Sequence, residues 1–370
     1  MSGTSMDAID AALVEIANDQ IRLIGYRQYP ITSDLRRELI TATRSSSIDY
    51  ITRLDVRMGR LFAEAAIALM RENSRGKYEI SAIGCHGQTI LHRPEPPEPT
   101  TLQIGDPNII AHITGITTVA DFRRMDIAAG GQGAPLTPAL HNHIFRHETK
   151  NRVVVNIGGI ANITTLPAKN TNSTICGFDT GPGNVLLDEW VFKHTGQSMD
   201  VNGNWSARGT CNPKLLELLI QDDYFDLAPP KSTGRDYFNI YWLLKRLDNF
   251  DHPGQPEDIQ STLVQLTAVT ITNAINKYAP STKEVIVGGG GAHNPQLMQA
   301  LSRNLAKCNV LSTRDIGINP DALEAMAFAW LAKRRIEGHP GNLPAVTGAT
   351  TSVVLGCIYE PGTGDCKPNP

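Results

Sequence analysis

The sequence predicts an α/β protein of two lobes, and three features carry that prediction. At 370 residues the chain is too long for one ordinary hydrophobic core. Short apolar runs of strand character end in glycine-rich turns and are followed by stretches of helical periodicity. The second half then opens on the plan of the first, a glycine-containing hairpin turn followed by a strand: MSGTSMDAIDAALVEI at 1–16, VVVNIGGIANITTL at 153–166. Two halves built alike point to an ancient duplication with a cleft between the lobes.

In the first half, residues 9–16 read as a strand and 20–29 as its hairpin partner. Residues 33–44 and 50–72 read as helices, the second carrying Leu54, Met58, Leu61, Phe62 and Ala65 on one face. Residues 80–84 form a short apolar strand running into Cys85-His86-Gly87-Gln88-Thr89, and the proline-rich 93–99 is loop. Near Asp121 the chain turns glycine-rich, with GGQGAP at 130–135, and a lobe boundary is placed there. In the second half, 153–157 is a buried strand, 158–162 a tight glycine turn and 163–166 a second strand. FDTGPGN at 178–184 precedes a helix from Val185, and the strand 284–287 runs through GGGGAHN into a helix at 295–306.

The formal net charge of −3 supplies no basic field for nucleic acid or anionic membrane. A bound phosphate must therefore be held by local geometry. The six cysteines show no C-x-x-C pair and no Cys/His ligand spacing, which reads as scattered thiols of a reducing compartment. No basic-then-apolar leader and no apolar run near 18 residues occurs, so a cytoplasmic location is expected. Glycine turns at strand ends expose backbone N–H groups and adopt the conformations that anion-binding nests require. A Walker A loop is excluded because no Gly-Lys-Ser/Thr occurs, and a Rossmann fingerprint is disfavoured because GGGGAHN has no βαβ half after it.

Seven blocks, in order, carry a family resemblance: MSGTSMDAID (1–10), GCHGQTI (84–90), ADFRRMDIAAGGQGAPLTP (120–138), NIGGIANIT (156–164), GFDTGPGN (177–184), VGGGGAHN (287–294) and DALEAMAFAWLA (321–332). Over essentially its whole length the chain resembles the anhydro-N-acetylmuramic acid kinases of the actin–hexokinase superfamily. The resemblance implies a ribonuclease-H-like fold in each lobe, with lobe 1 at 1–125 joined by 345–370 and lobe 2 at 126–344. It also implies phosphorylation of 1,6-anhydro-N-acetylmuramic acid by ATP and Mg²⁺, with water opening the anhydro ring to give N-acetylmuramic acid 6-phosphate in cell-wall recycling. A homodimer is consistent with the same family.

Carried over residue by residue, the resemblance makes Asp179 the catalytic base that takes a proton from the attacking water; the competing role is a cap for the following helix. Gly3, Thr4, Ser5, Met6, Asp7, Ala8, Ile9 and Asp10 would form the first phosphate loop. Asp7 would reach Mg²⁺ directly or through water, or serve as a turn acid. The family commonly has glycine where Ala8 stands, so a positive φ there would strain the backbone. Asn156, Gly158, Gly159, Gly181 and Gly183 would line the phosphate tail. Gly288, Gly289, Gly290 and Asn294 would border the adenosine while also making a strand-to-helix turn.

The sugar side would come from His86, Gln88, Thr89, Arg123, Arg124, Gln132 and Glu324. One of the two arginines suits the lactyl carboxylate, which a guanidinium fork grips. His86 could equally be satisfied by backbone at the edge of the core, and Glu324 could simply favour the helix dipole. A plain sugar or acid kinase would use Asp179 on a substrate hydroxyl instead of water, and an ATP-gated binding protein would ignore muramic derivatives. In this fold the first phosphate loop joins two adjacent strands, and relatives carry an apolar stretch before MSGTS; here the first strand of lobe 1 is truncated to Met1 and Ser2. Losing a central strand leaves buried N–H and C=O groups unpaired. The expectation is a natural start upstream of Met1, or a truncated form with impaired folding and ATP binding.

Overall fold

The computed structural model describes residues 1–3, 6–17, 20–44, 46–73, 79–252 and 254–362; Thr4 and Ser5 of the opening loop lie outside them. The chain divides into two compact units, Met1–Leu140 with Ala322–Pro370, and His141–Asp321. Residues 126–140 and 322–344, placed by sequence in the second lobe, thus lie in the first unit. Both segments are tied to earlier residues of that unit, by the bond from Arg123 Nη1 to Gly133 O (2.7 Å) and by the Phe328 ring against those of His86 and Phe122, and a carboxylate then joins the segments to each other. Asp126 is 0% exposed and accepts from the Gly133 N–H (2.8 Å), Asn342 Nδ2 (2.7 Å) and Thr347 Oγ1 (2.8 Å). Backbone bonds from Gln132 N–H to Thr347 O and from Thr350 N–H to Ala129 O, both 2.8 Å, complete the seam.

In chain order the first unit contains β1 (Ala8–Ala17), β2 (Gln20–Pro30), α1 (Ser33–Arg44), α2 (Ile48–Asn73), β3 (Ile83–Gly84), β4 (Gln88–Arg93), β5 (Thr100–Ile104), α3 (Pro107–Thr114), β6 (Thr118–Ala120) and α4 (Arg124–Ala128). Helix α5 (Thr137–Phe145) follows. The second unit contains β7 (Arg152–Ile157), β8 (Ile160–Leu166), β9 (Cys176–Pro182), α6 (Asn184–Thr195), α7 (Pro213–Ile220), α8 (Asp223–Asp226), α9 (Ile240–Leu247), α10 (Pro256–Tyr278), β10 (Glu284–Gly288), α11 (Pro295–Asn304) and β11 (Asn309–Ser312). The chain then returns to the first unit through α12 (Leu323–Ile336), α13 (Pro344–Thr347) and β12 (Cys357–Tyr359).

The second unit is built on one five-stranded sheet in the order β11-β10-β7-β8-β9. Strands β7, β8 and β9 form an antiparallel meander, while β10 runs parallel to β7 and β11 parallel to β10. This is the ribonuclease-H-like arrangement. The sequence explains the order: Val153–Val155 and Val285–Val287 are buried on both faces, as only central strands covered by helices can be. Leu263, Leu266 and Ile271 of α10 join Val155, Phe178 and Val285 in that core. Pro256 opens α10, and Gln255 with Asp258 forms a capping box around its first turn.

The first unit has the same kinds of strand, but its sheet is split. β1 and β2 pair antiparallel with a bulge at Leu13/Val14; β3 runs parallel to β6, with β12 antiparallel on the far side of β6. No hydrogen bond joins β1 to β3 among the described residues. On the side of β1 away from β2 stand the Ser2–Ile9 bridge, two 2.8 Å bonds between Met1 and Asp10, and bonds from Ser2 Oγ to Ala8 O (3.1 Å) and from the Ser2 N–H to Gly87 O (3.5 Å). Beyond them lies a cavity of about 550 Å³, walled by Ala12, Val14 and Ile16 of β1, by Ile83 of β3, and by Ala325 and Ala329 of α12, with Glu15, Lys333 and Glu337 also in its lining. The strand expected at 80–84 is accordingly reduced to Ile83–Gly84, because it has a ladder partner on one side only. Ala8 begins β1 without a positive φ, so no such strain arises there; the positive φ is at Met6, at 52°.

Candidate functional site

In the second unit three glycine blocks, far apart in sequence, meet at the ends of β7, β9 and β10. The Gly158–Gly159 turn caps α6: Gly159 O accepts from the N–H groups of Gly183 (2.9 Å) and Val185 (3.0 Å), and Gly158 O from Asn184 (2.8 Å). Asn184 Nδ2 adds a bond to Ile157 O at 3.2 Å, and Thr267 Oγ1 of α10 donates to Pro182 O at 3.1 Å. Gly183 is required because a Cβ there would strike Gly158 O. Gly289 sits at φ 78°, and a Cβ would lie 2.5 Å from Asn156 Oδ1 and 2.8 Å from Ile157 O. Only glycine lets these backbones close to contact. Asn156, Gly158, Gly159, Gly181, Gly183 and Gly288–Gly290 therefore lie together at these strand ends. Asn294 instead caps α11, its Oδ1 accepting from Gln296 (3.0 Å) and Leu297 (3.3 Å) N–H groups.

Asp179 lies on β9, half-buried, opposite Asn162 of β8. It is not a helix cap, since α6 begins five residues on with Gly183 at its N-cap. A covering loop holds it from three sides. The Thr233 N–H donates to Asp179 Oδ2 (3.0 Å), the Asp179 N–H donates to Lys231 O (3.2 Å), and Tyr224 Oη donates to Asp179 O (2.8 Å). Burial pushes the carboxyl up to about 6, against the Thr233 N–H and the nearby Lys231 charge. A carboxylate near that value is suited to take a proton at neutral pH.

The loop is anchored by Asp222. Its carboxylate accepts from the Tyr224 N–H (3.0 Å), Tyr237 Oη (2.8 Å), Trp242 Nε1 (2.9 Å) and Arg246. Lys231 Nζ donates to Tyr224 O at 3.0 Å and stands 4.6 Å over the Tyr224 ring. Sequence reasoning passes over this segment. KSTGRDY at 231–237 has neither strand alternation nor a glycine cluster, and its only signal is two cations flanking one glycine.

In the first unit His86, Arg123 and Glu324 form one cluster. Arg123 Nε donates to His86 Nε2 (3.0 Å) and its Nη1 to Gly133 O (2.7 Å). Because Nε2 accepts, Nδ1 carries the ring proton and donates to Gly87 O at 3.0 Å. Burial and the Arg123 charge hold His86 well below its ordinary pKa, so it is neutral, with its ring 4.6 Å from that of Phe328. Burial lowers Arg123 to about 10, with Glu324 and Asp126 acting against it.

Arg124 is different: it is exposed and pairs with Asp121 at 3.6 Å, and Asp121 itself sits at φ 58°. A cavity of about 370 Å³ is lined by Asp55, His86, Gln103, Asp121, Arg124 and Tyr359. It thus brings together His86 and Arg124 of the expected sugar residues, and adds Asp55 and Asp121, whose carboxyls burial raises. Thr89 Oγ1 accepts from Gln103 Nε2 at 3.3 Å. Gln88 is 1% exposed, with Nε2 donating to Thr89 O (3.3 Å) and Oε1 lacking a partner among the described residues. Gln132 is half-buried on the Asp126 seam.

Of the opening loop expected to bind phosphate, Gly3, Met6, Asp7, Ala8, Ile9 and Asp10 are described. The Met6 N–H closes the turn on Gly3 O at 3.2 Å, and Ile9 is 3% exposed in the core. Asp10 is engaged within the hairpin, its Oδ1 accepting from Tyr26 Oη (2.6 Å) and Gln28 Nε2 (3.0 Å). Asp7 is exposed. Among the described residues no three acidic, His or Cys side chains converge on a metal position, and no helix is long and apolar enough to cross a membrane.

A family model described as anhydro-N-acetylmuramic acid kinase matches residues 1–361. A protein of that name from Photobacterium profundum is 50% identical over 97% of this chain and 97% of its own. The Coxiella burnetii protein of the same name is 48% identical over 97% and 96%, and the Vibrio cholerae protein 47% identical over 98% and 97%.

Proposed function

The chain belongs to the anhydro-N-acetylmuramic acid kinase family, and from that premise we propose how its residues divide the reaction. It is a phosphotransferase that uses ATP to phosphorylate 1,6-anhydro-N-acetylmuramic acid. Asp179 takes a proton from water, the water oxygen bonds to C1, the C1–O6 bond breaks, and O6 takes the γ-phosphoryl group as ADP leaves. The observation that carries this reading is the half-buried Asp179 carboxylate, held by the Thr233 N–H in the unit where three glycine turns converge. Those turns, free of side chains, would let the triphosphate approach the backbone closely. Mg²⁺ would neutralise charge developing on the phosphates, and the exposed Asp7 suits a cation that keeps its waters and takes one or two carboxylates. Arg124, facing the smaller cavity, would grip the lactyl carboxylate, while Arg123 is committed to His86 and Gly133. The family likeness carries with it a cytoplasmic location and a homodimer.

Reaction of ATP and the anhydro sugar in ¹⁸O-labelled water tests the chemistry. One labelled oxygen at C1 of a 6-phosphate is expected; a product that keeps the anhydro bridge would make this a plain sugar kinase. The pH dependence follows from the raised carboxyl. Asp179 acts as a base only when ionised, so kcat should fall as pH drops through about 6. A kcat unchanged down to about pH 4.5, close to the ordinary carboxyl range, would remove Asp179 from that role.

A further inference from the structure

We propose that Arg235 is a phosphate-binding residue of the nucleotide site, its guanidinium taking up anionic oxygens of the ATP triphosphate beside the Gly158–Gly159 turn. The inference rests on the reading that this turn lines the triphosphate. Arg235 follows the loop that holds Asp179. Its Nε is buried and has no hydrogen-bond partner among the described residues. A guanidinium N–H removed from water without an acceptor is costly, and three other partly buried arginines of this protein avoid it. Arg123 donates to His86 and Gly133 O, Arg152 to Glu284 and Phe145 O, and Arg246 to Asp222 and Trp242 O.

The guanidinium lies against Gly159. A Cβ there would stand at ordinary contact distance, 3.4 Å from both Nε and Nη2 and 3.8 Å from Cζ, so the planar group rests on the turn. Glu189 feels its charge, but no hydrogen bond joins the two among the described residues, and Glu189 Oε2 accepts from the Ile240 N–H at 2.5 Å. A planar cation with an open donor, beside backbone that three glycine blocks bring together, matches a phosphate oxygen pair.

The test is calorimetric titration of wild type, Arg235→Gln and Arg235→Lys with ATP, ADP and the anhydro sugar, with Tm as the check on folding. Arg235→Gln should weaken ATP binding by about 10- to 100-fold, as loss of charge-assisted hydrogen bonds does. ADP should lose less and the sugar less than about twofold. Arg235→Lys, which keeps charge but not the fork, should fall between. ATP affinity within about threefold of wild type in both variants overturns the proposal. So does a loss confined to the sugar, which would give the guanidinium to the lactyl carboxylate. ATP binding does not depend on which acceptor is phosphorylated, so a wild-type product that keeps the anhydro bridge would sink the ring-opening reading and leave this one standing.

Discussion

Asp179→Asn should lower kcat by about 10³- to 10⁴-fold, the upper range for removal of a general base. ATP and sugar affinity should change little. The amide keeps the shape of the carboxylate and can still accept from the Thr233 N–H through its oxygen. The bonds from Tyr224 Oη and to Lys231 O involve only the Asp179 backbone, so the covering loop stays anchored. What the amide cannot do is accept a proton from water. Single-turnover kinetics under saturating ATP and sugar, beside equilibrium titrations, separate chemistry from binding. A variant within tenfold of wild type, about 1.4 kcal/mol in barrier, would exclude Asp179 as the base.

Asp126→Ala should produce the largest loss of stability, about 3–5 kcal/mol, as when one partner of a buried charged network is removed. The Gly133 N–H, Asn342 Nδ2 and Thr347 Oγ1 would lose their acceptor at a position that is 0% exposed. Those groups come from the glycine-rich turn and from a segment far later in the chain, so their release loosens the seam between the two. Thermal unfolding should shift down by about 10 °C. A shift of less than about 2 °C would show that the seam is held by its backbone bonds and apolar packing alone.

The parts of the fold legible in the sequence are those with local causes. Val153–Val155 and Val285–Val287 are continuous apolar runs, and central strands covered on both faces need that composition. The glycines at 158, 159, 183 and 289 mark the turns because close approach of backbone excludes a side chain. Asp179 stands out within its motif. The unit boundary is not legible, because it depends on Asp126 meeting Asn342 across 216 positions. Nor is the separation of the two neighbouring arginines. Arg123 turns in toward His86 and Arg124 out toward Asp121, a choice made by burial that adjacency cannot reveal. Arg235 and Asp222 escape for the same reason: each matters through partners brought to it by folding.

The split sheet of the first unit also has a meaning for how the molecule opens. β1 is joined by a ladder to β2 and touches α2 and α12, whereas its other edge and that of β3 face the cavity with no ladder between them among the described residues. Amide hydrogens on that edge exchange with solvent through local opening, at lower free energy than those of the five-stranded sheet of the second unit. The hairpin that carries the opening loop should therefore lose its protection from exchange before the five-stranded sheet of the second unit does.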